Sequence, residues 1–197
     1  FTVEGNTIKL LQSERLVLNY MQRLSGVATK THHMAQRIAH TSCRLLDTRK
    51  TTPGLRVMEK WAVRLGGGHN HRMGLYDMVM LKDNHIDFAG GIGQAVAQVR
   101  QYLKEQQKEL AIEVETRNIQ EVHEALAAEA DRIMLDNFDI ATTKEAVALI
   151  GGRCEVESSG GITEHTLVPF AECGVDYISV GALTHHIKGV DMSLKAY

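Results

Sequence analysis

The segment Leu45–Gly54, LLDTRKTTPG, is the stretch from which the rest of the chain is interpreted. A short apolar run ends in charged residues and threonines and is followed by a Pro-Gly pair, which is typical of a buried strand that stops at a loop. Arg49 and Lys50 among hydroxyl groups offer a guanidinium fork, a point charge and neutral donors, which together suit a small polyanion. Taken alone, the segment is better explained as a solvated turn. The anion-binding interpretation gains weight because strands followed by polar residues recur along the chain.

Short apolar strands alternate with amphipathic helices from residue 43 onward, at a spacing of roughly 20 to 30 residues, the size of one strand-helix-strand unit. This alternation predicts parallel strands joined by crossover helices. We therefore expect an α/β fold, a parallel α/β barrel of about six strands, closed or nearly closed. A doubly wound open sheet is the alternative, but no Gly-x-Gly-x-x-Gly follows a first strand. The predicted strands are Cys43–Asp47, Met78–Leu81, Leu110–Glu115, Arg132–Asp136, Arg153–Ser158 and Tyr177–Val180.

Two helices are predicted before the first strand. Ser13 is expected to cap the first, Ser25-Gly26 to interrupt the pattern, and the second helix to run to about His40. Residues 2–8 resemble half of a hairpin, and the chain opens on Phe1 rather than Met. We expect residues 1–12 to be the remnant of a missing N-terminal domain and residues 13–197 to form the barrel domain.

Composition restricts the function classes. With 197 residues, 44% of them hydrophobic, the chain can bury one domain core. A net charge of -2 gives no sign of a nucleic-acid or membrane-surface protein, so any cationic site must be local. Three cysteines without a Cys-x-x-Cys pair argue against a disulfide framework or a zinc knuckle and favour reduced, buried thiols in the cytoplasm. No apolar stretch has the length of a membrane span, and no signal peptide is evident.

Charged residues or glycines follow all six predicted strands, and the carboxyl ends of parallel barrel strands share the face on which active sites form. The last two strand ends are predicted to hold a phosphate on backbone N–H groups, a tight turn being the alternative. The residues concerned are Ser159, Gly160, Gly161, Gly181 and His185.

Glu115 and Asp136 end neighbouring strands and could hold ribose hydroxyls, ligate Mg²⁺ or stabilise a developing positive charge. Their alternative is a helix cap or a solvated loop, and Glu113 is kept in reserve two residues before Glu115. Lys82 follows an apolar strand, so its amine is expected in the cavity, either as a clamp on phosphate or as a Schiff-base nucleophile.

The segment Gly66–Arg72 contains three glycines that would let the backbone bring His71 and Arg72 close to a ligand. His69 and His71 have a zinc-compatible spacing, but no third ligand is obvious, so a metal is the minority interpretation. The cations at Arg49, Lys50, Arg72 and Lys82 thus face two carboxylates. An anionic small substrate and phosphoribosyl transfer would require such a set.

Five motifs together resemble those of quinolinate phosphoribosyltransferase, over residues 10 to 195. They are Thr48–Gly54, Gly66–Arg72, Leu81–His85, Leu135–Phe138 and Ser159–Ile162. The resemblance implies an α/β barrel, a homodimer or larger assembly, Mg²⁺ and a role in de novo NAD biosynthesis. The implied reaction joins quinolinate to phosphoribosyl pyrophosphate and yields nicotinate mononucleotide, pyrophosphate and carbon dioxide.

The resemblance also implies a role for each matching residue. Arg49, His71 and Arg72 would bind the quinolinate carboxylates, and Lys50 and Lys82 would hold substrate and pyrophosphate oxygens. The catalytic set would be Lys50, Lys82, Glu115 and Asp136, with Glu115 and Asp136 facing the ribose and the metal, and Ser159, Gly160, Gly161, Gly181 and His185 cradling the phosphate.

Arg15 matches an arginine that reaches the partner subunit's site. Members of the family carry an N-terminal domain that helps to cover the partner's site, and this chain has at most its last few residues. Two alternatives stay open: a Schiff-base lyase or aldolase that uses Lys82, and an inactive barrel that acts only in assembly or ligand binding.

Overall fold

The computed structural model describes residues 2–196, so Phe1 and Tyr197, the ends of the two predicted domains, lie outside the described part. Its six strands form one all-parallel sheet in the order β1-β6-β5-β4-β3-β2. β1 and β2 are the two edge strands of this sheet and are not paired with each other, so hydrogen bonds do not close the barrel between them. The expected barrel of about six strands, not fully closed, is confirmed. The strands are β1 Arg44–Leu46, β2 Val79–Leu81, β3 Ile112–Thr116, β4 Arg132–Asp136, β5 Glu155–Ser159 and β6 Tyr177–Ser179.

The sheet separates an apolar outer layer from a polar interior. Ile112 and Val114 of β3 belong to the apolar core, as does Val156 of β5. Their neighbours Glu113 and Glu157 are fully buried as well, although they are charged. Because successive side chains of a strand point to opposite faces, one face packs on the helices and the other lines the barrel. The charged residues of these strands are therefore concentrated inside the barrel.

Two of the helices between the strands begin at a short polar side chain that caps them, Asn118 and Asp139. Asn118 Oδ1 accepts a hydrogen bond from the Glu121 N–H at 2.9 Å. Thr163 and Thr166 form a hydrogen-bonded turn, and the helix that follows begins at Leu167. The helices are α1 Thr7–Arg37, α2 Arg56–Leu65, α3 Asp83–Ala89, α4 Ile92–Glu105, α5 Ile119–Ala127, α6 Ile140–Ile150, α7 Leu167–Ala171 and α8 Ala182–His185.

The N-terminal predictions were wrong in detail. Residues 7–37 form one continuous helix, so Thr7 and Ile8 belong to a helix and not to half of a hairpin. Asn6 caps it, accepting a hydrogen bond from the Lys9 N–H at 3.1 Å, and Ser13 lies inside it. The helix passes through the predicted boundary between residues 12 and 13 without a break, and the division into two domains stays a prediction.

Gly26 does not interrupt α1, because it serves a close crossing of two segments. A Cβ atom there would lie 2.9 Å from Ile187 Cγ2 and would also collide with the Lys188 carbonyl. A Ser-Gly pair has the same local sequence signal at a helix end and at a helix crossing, and only the packing of the C-terminal segment distinguishes them.

All three cysteines are free, and two of them, Cys43 and Cys173, are buried as predicted, whereas Cys154 is half-buried. Burial raises the pKa of the Cys43 thiol to about 12, with smaller contributions from Asp176 and Glu157. Among the described residues no helix is long and apolar enough to cross a membrane.

Candidate active site

A cavity of about 750 Å³ opens at the carboxyl ends of the strands. Every predicted site residue except Arg15 lines it, although their positions in the chain span more than 130 residues. Arg15 is exposed on α1, outside this cavity, and its expected role at a partner's site stays a prediction. The predicted residues that line the cavity are Arg49, Lys50, His71, Arg72, Lys82, Glu115, Asp136, Ser159, Gly160, Gly161, Gly181 and His185.

Lys82 and Glu115 form an ion pair across the ends of β2 and β3. Lys82 stands at the start of α3, a short helix that the sequence did not predict, and its N–H donates to His85 Nδ1 at 3.0 Å. The Glu115 carboxylate is nearly buried and the Lys82 side chain is 44% exposed. The backbone of Lys82 is therefore fixed by its hydrogen bond to His85, whereas its charged amine stays accessible from the cavity.

Arg49 and Arg72 both line the cavity, and their charges act on each other. Burial lowers the pKa of Arg72, and the charge of Arg49 lowers it further. The Arg72 guanidinium makes long contacts to two described residues, from Nη1 to the Met78 carbonyl at 3.3 Å and from Nη2 to Met80 Sδ at 3.6 Å. Two guanidinium groups that repel each other in a partly desolvated pocket favour a bound anion, and a carboxylate can accept both forks.

The glycine-rich loop after β5 depends on the absence of side chains. Gly160 has a φ of 93° and Asn137, which packs against it, has a φ of 57°. A Cβ atom on Gly160 would lie 2.7 Å from the Asn137 backbone nitrogen and would collide with its side-chain oxygen. The loop after β5 and the loop after β4 can therefore touch only because residue 160 is glycine.

The second half of the predicted phosphate cradle is tied to the loop of Lys50. The hydroxyl of Thr184, a buried residue of α8, donates to the Lys50 carbonyl oxygen at 2.7 Å. A Cβ atom on Gly181 would lie 2.8 Å from His185 Nε2 and 3.2 Å from Lys50 Cδ. Burial lowers the pKa of His185, as do the nearby His186 and Lys50, so its surroundings favour the neutral ring.

Beneath the cavity lies a buried network that the sequence did not indicate. Asp47, directly after β1, is fully buried and forms an ion pair with Lys60 of α2, which is also fully buried. Its carboxylate also accepts from Asn70 Nδ2 at 2.6 Å and from the His71 N–H at 2.9 Å. A lysine in an amphipathic helix is ordinarily solvated, so no local signal identified Lys60.

His71 belongs to this network as well as to the cavity lining. Its Nε2 lies 3.1 Å from Glu113 Oε2 and 3.3 Å from Glu157 Oε2. Burial alone would lower the pKa of His71, but Glu113 and Glu157 raise it to about 9. His69, by contrast, is exposed and pairs with Leu46 as an extra bridge beside β1. His71 therefore lies with Glu113 and Glu157, and not with His69 as the His-x-His spacing suggested.

Fold and cavity define an α/β-barrel protein with a cavity lined by cationic side chains at the carboxyl ends of its strands. The family model for "Quinolinate phosphoribosyl transferase, C-terminal domain" matches residues 27–195, and the chain belongs to this family.

Relatives and solved structures agree with this assignment. Quinolinate phosphoribosyltransferase [decarboxylating] 2b, mitochondrial, of Nicotiana tabacum is 50% identical over 98% of this chain and 59% of its own length. A probable nicotinate-nucleotide pyrophosphorylase [carboxylating] of Bacillus subtilis is 46% identical over 98% of this chain and 65% of its own length. The crystal structure of NadC from Streptococcus pyogenes superposes with a TM-score of 0.92 at 43% identity, covering 98% of this chain and 66% of that one. The chain thus spans roughly three fifths of the plant relative and two thirds of the bacterial ones.

Proposed function

We propose that this chain transfers the phosphoribosyl group of phosphoribosyl pyrophosphate to quinolinate and releases carbon dioxide. The products are nicotinate mononucleotide and pyrophosphate, a step of de novo NAD biosynthesis. The observation that carries the proposal is the convergence of four cations, two carboxylates and a glycine-rich loop on one cavity. The names of the relatives, which specify a decarboxylating quinolinate phosphoribosyltransferase, support it.

The cationic side chains give the substrates their positions. Arg49 and Arg72 bind the two carboxylates of quinolinate, and Lys50 and Lys82 bind pyrophosphate oxygens. The bond from the anomeric carbon to pyrophosphate breaks, and positive charge develops on the ribose. Glu115 and Asp136 stabilise that charge because they line the same cavity with partly buried carboxylates.

The ring nitrogen of quinolinate then attacks the anomeric carbon. The resulting pyridinium accepts the electron pair of the adjacent carbon-carboxylate bond, so that carbon dioxide leaves and the ring carbon takes up a proton. The arginines must position this carboxylate without holding its ground state too tightly, because tight ground-state binding raises the barrier.

Mg²⁺ is part of the proposal, with Glu115 and Asp136 as the residues that would hold it. Both are oxygen donors at the cavity wall, and each already has a partner: Glu115 pairs with Lys82, and Asp136 Oδ2 accepts from Asn137 Nδ2 at 2.8 Å. Such a pair does not form an all-protein cage, but Mg²⁺ usually binds one or two carboxylates together with substrate phosphates. When bound there, the ion would neutralise charge on the departing pyrophosphate.

A Schiff-base mechanism through Lys82 is less well supported. The Lys82 amine is engaged by Glu115, which suits a charge clamp better than an amine nucleophile. Borohydride treatment in the presence of substrate should therefore leave no adduct on Lys82, and a trapped adduct would favour the lyase alternative.

The proposal extends to assembly and location. The chain would act as a homodimer or larger homo-oligomer in which Arg15 reaches the partner's cavity, and it would act in the cytoplasm. Exposure of Arg15 on α1 is compatible with such a contact. The names of the relatives include mitochondrial and chloroplastic plant proteins, so fractionation of the source cells is the relevant test of location.

Calorimetry with quinolinate and nicotinate is the experiment that tests the proposed substrate. Nicotinate lacks the second carboxylate that the arginine pair is expected to bind, so quinolinate should bind more tightly. Equal binding of both compounds would contradict the assignment of the base. Formation of nicotinate mononucleotide from quinolinate and phosphoribosyl pyrophosphate would then separate an active barrel from one that only binds its ligands.

A further inference from the structure

Two fully buried carboxylates lie beneath the cavity and have no assigned role. Glu113 of β3 and Glu157 of β5 flank the imidazole of His71, which is 7% exposed. Three of their four carboxylate oxygens have no hydrogen-bond partner among the described residues, and neither contact with His71 Nε2 has hydrogen-bond geometry. Buried carboxylates are costly to keep without a partner, so a cluster of this kind points to a specific task.

Every polar group of His71 faces the protein. Its N–H donates to Asp47 at 2.9 Å, and its carbonyl oxygen accepts from Lys60 Nζ at 2.9 Å. Its Nδ1 accepts the backbone N–H of Arg72 at 2.7 Å, while Nε2 lies between Glu113 and Glu157. Nε2 is buried and Nδ1 accepts the Arg72 N–H, so neither ring nitrogen is available to a substrate in this arrangement.

A metal ion would be the obvious alternative occupant. The ligand atoms of His71, Glu113 and Glu157 lie within 4.8 Å of one another, a spacing that a cation could use. However, an Nδ1 that accepts an N–H leaves the hydrogen of the neutral ring on Nε2, and the imidazolium form carries one there as well. Nε2 is therefore a donor toward the carboxylates and not a metal ligand.

The charges around the cluster are compensated by protein groups. Arg132 of β4 lies 3.4 Å from Glu157 and carries the positive charge nearest to it besides His71. The two carboxylates favour a charged His71 ring, whereas the Arg72 N–H opposes it, because a ring protonated on both nitrogens would lose the Nδ1 contact. The 2.7 Å contact with the Arg72 N–H requires an unprotonated Nδ1, so the geometry selects the neutral ring, with its hydrogen on Nε2 between the two carboxylates.

We propose that Glu113 and Glu157 are positioning residues that act through His71 on Arg72. They orient the imidazole so that Nδ1 holds the Arg72 backbone, which places the Arg72 guanidinium in the cavity to bind a carboxylate of the substrate. The inference rests on the proposed function, since it assumes that a pyridine dicarboxylate is the ligand of Arg72.

The test uses calorimetry of quinolinate binding to Glu157→Gln and Glu113→Gln. Because each change removes negative charge near a cationic cavity, a purely electrostatic role would tighten quinolinate binding. A positioning role instead weakens it, by about tenfold, the size expected when a buried polar contact is lost. Glu155→Gln is the matched control, since Glu155 lies on the same strand and also pairs with Arg132 but is exposed. It should bind quinolinate like the unmodified chain.

A double-mutant cycle shows whether the effect passes through Arg72. In an Arg72→Ala background, Glu157→Gln should cause no further loss of quinolinate affinity. Pyrophosphate binding should stay unchanged in Glu157→Gln. A general loosening of the barrel would instead lower the affinity for both quinolinate and pyrophosphate, with Arg72 present and in the Arg72→Ala background. Glu113→Gln provides the same comparison if Glu157→Gln does not fold.

The two proposals fail in different ways. No binding of quinolinate by the unmodified chain would overturn the proposed function. Two other outcomes would overturn the positioning role alone. In one, Glu157→Gln and Glu113→Gln leave quinolinate binding unchanged or tighten it; in the other, they weaken it by the same factor in the Arg72→Ala background.

Discussion

Charged side chains lie both at the rim and at the floor of the cavity, but those at the rim are exposed and those at the floor are buried. The rim includes Arg49 and Lys50, which are exposed, whereas the floor includes Asp47, Lys60 and Glu113, which are fully buried. The charges of the floor lie beside protein groups of opposite charge, as Asp47 does beside Lys60. Breaking such a pair in a low-dielectric interior is costly. The rim cations Arg49 and Lys50 are exposed, so a ligand can reach their charges.

This difference indicates a division of tasks. Changes on the rim should affect ligand binding and turnover while leaving the fold intact, and changes in the floor should affect stability first. Four predictions test that division, and they run from the largest expected effect to the smallest.

Asp47→Ala should have the largest effect, because it leaves Lys60 as a buried charge without its partner. The free energy of unfolding should fall by about 3–5 kcal/mol, as measured by denaturant unfolding. Arg37→Ala, which breaks an exposed ion pair with Glu164, should leave the unfolding midpoint nearly unchanged. A similar midpoint for both variants would show that the floor network does not stabilise the barrel.

Arg49→Ala should change turnover without changing stability. Removing one preorganised charged contact typically costs about 2.7–4 kcal/mol, so turnover with quinolinate should fall by roughly two to three orders of magnitude. Thermal unfolding should be unaffected, because the side chain is exposed. Arg64→Ala removes an exposed arginine of α2 outside the cavity and serves as the charge-matched control. Near-normal turnover of Arg49→Ala in an active enzyme would mean that the site assignment is wrong.

Gly160→Ala should disturb the rim through its backbone. The substitution combines a positive φ with a collision against Asn137, and strain of this kind costs about 1–3 kcal/mol. Calorimetry should show weaker pyrophosphate binding. Gly67→Ala isolates the backbone contribution, since Gly67 has a φ of 88° but no atom within 4 Å of the added Cβ. If both variants bind pyrophosphate equally well, the contact between the two loops does not shape the site.

Thr184→Val should give the smallest effect, at the connection between floor and rim. Loss of its hydrogen bond to the Lys50 carbonyl should lower the free energy of unfolding by about 0.5–1.5 kcal/mol. Thr143 is equally buried, but its hydroxyl has no partner in the described part of the chain. Thr143→Val should therefore be neutral or stabilising. If thermal unfolding shows the two variants to be equally destabilised, the Lys50 bond contributes nothing specific.

Local sequence determined much of this protein. Strand positions followed from apolar runs and turn residues, and the α/β barrel followed from their alternation, because parallel strands require long crossovers. The rim residues were predictable for the same reason: Asp136 ends a strand, Gly160 directly follows one, and strand ends of one barrel share a face.

Tertiary structure decided the rest. Ser25-Gly26 is a crossing inside one helix and not a break, because a segment more than 160 residues away packs against it. Lys60 and Glu113 look like ordinary charged residues of a helix and a strand, yet both are fully buried. Their partners come from other elements, and burial, which makes those pairs matter, depends on the whole packed barrel and not on any one segment.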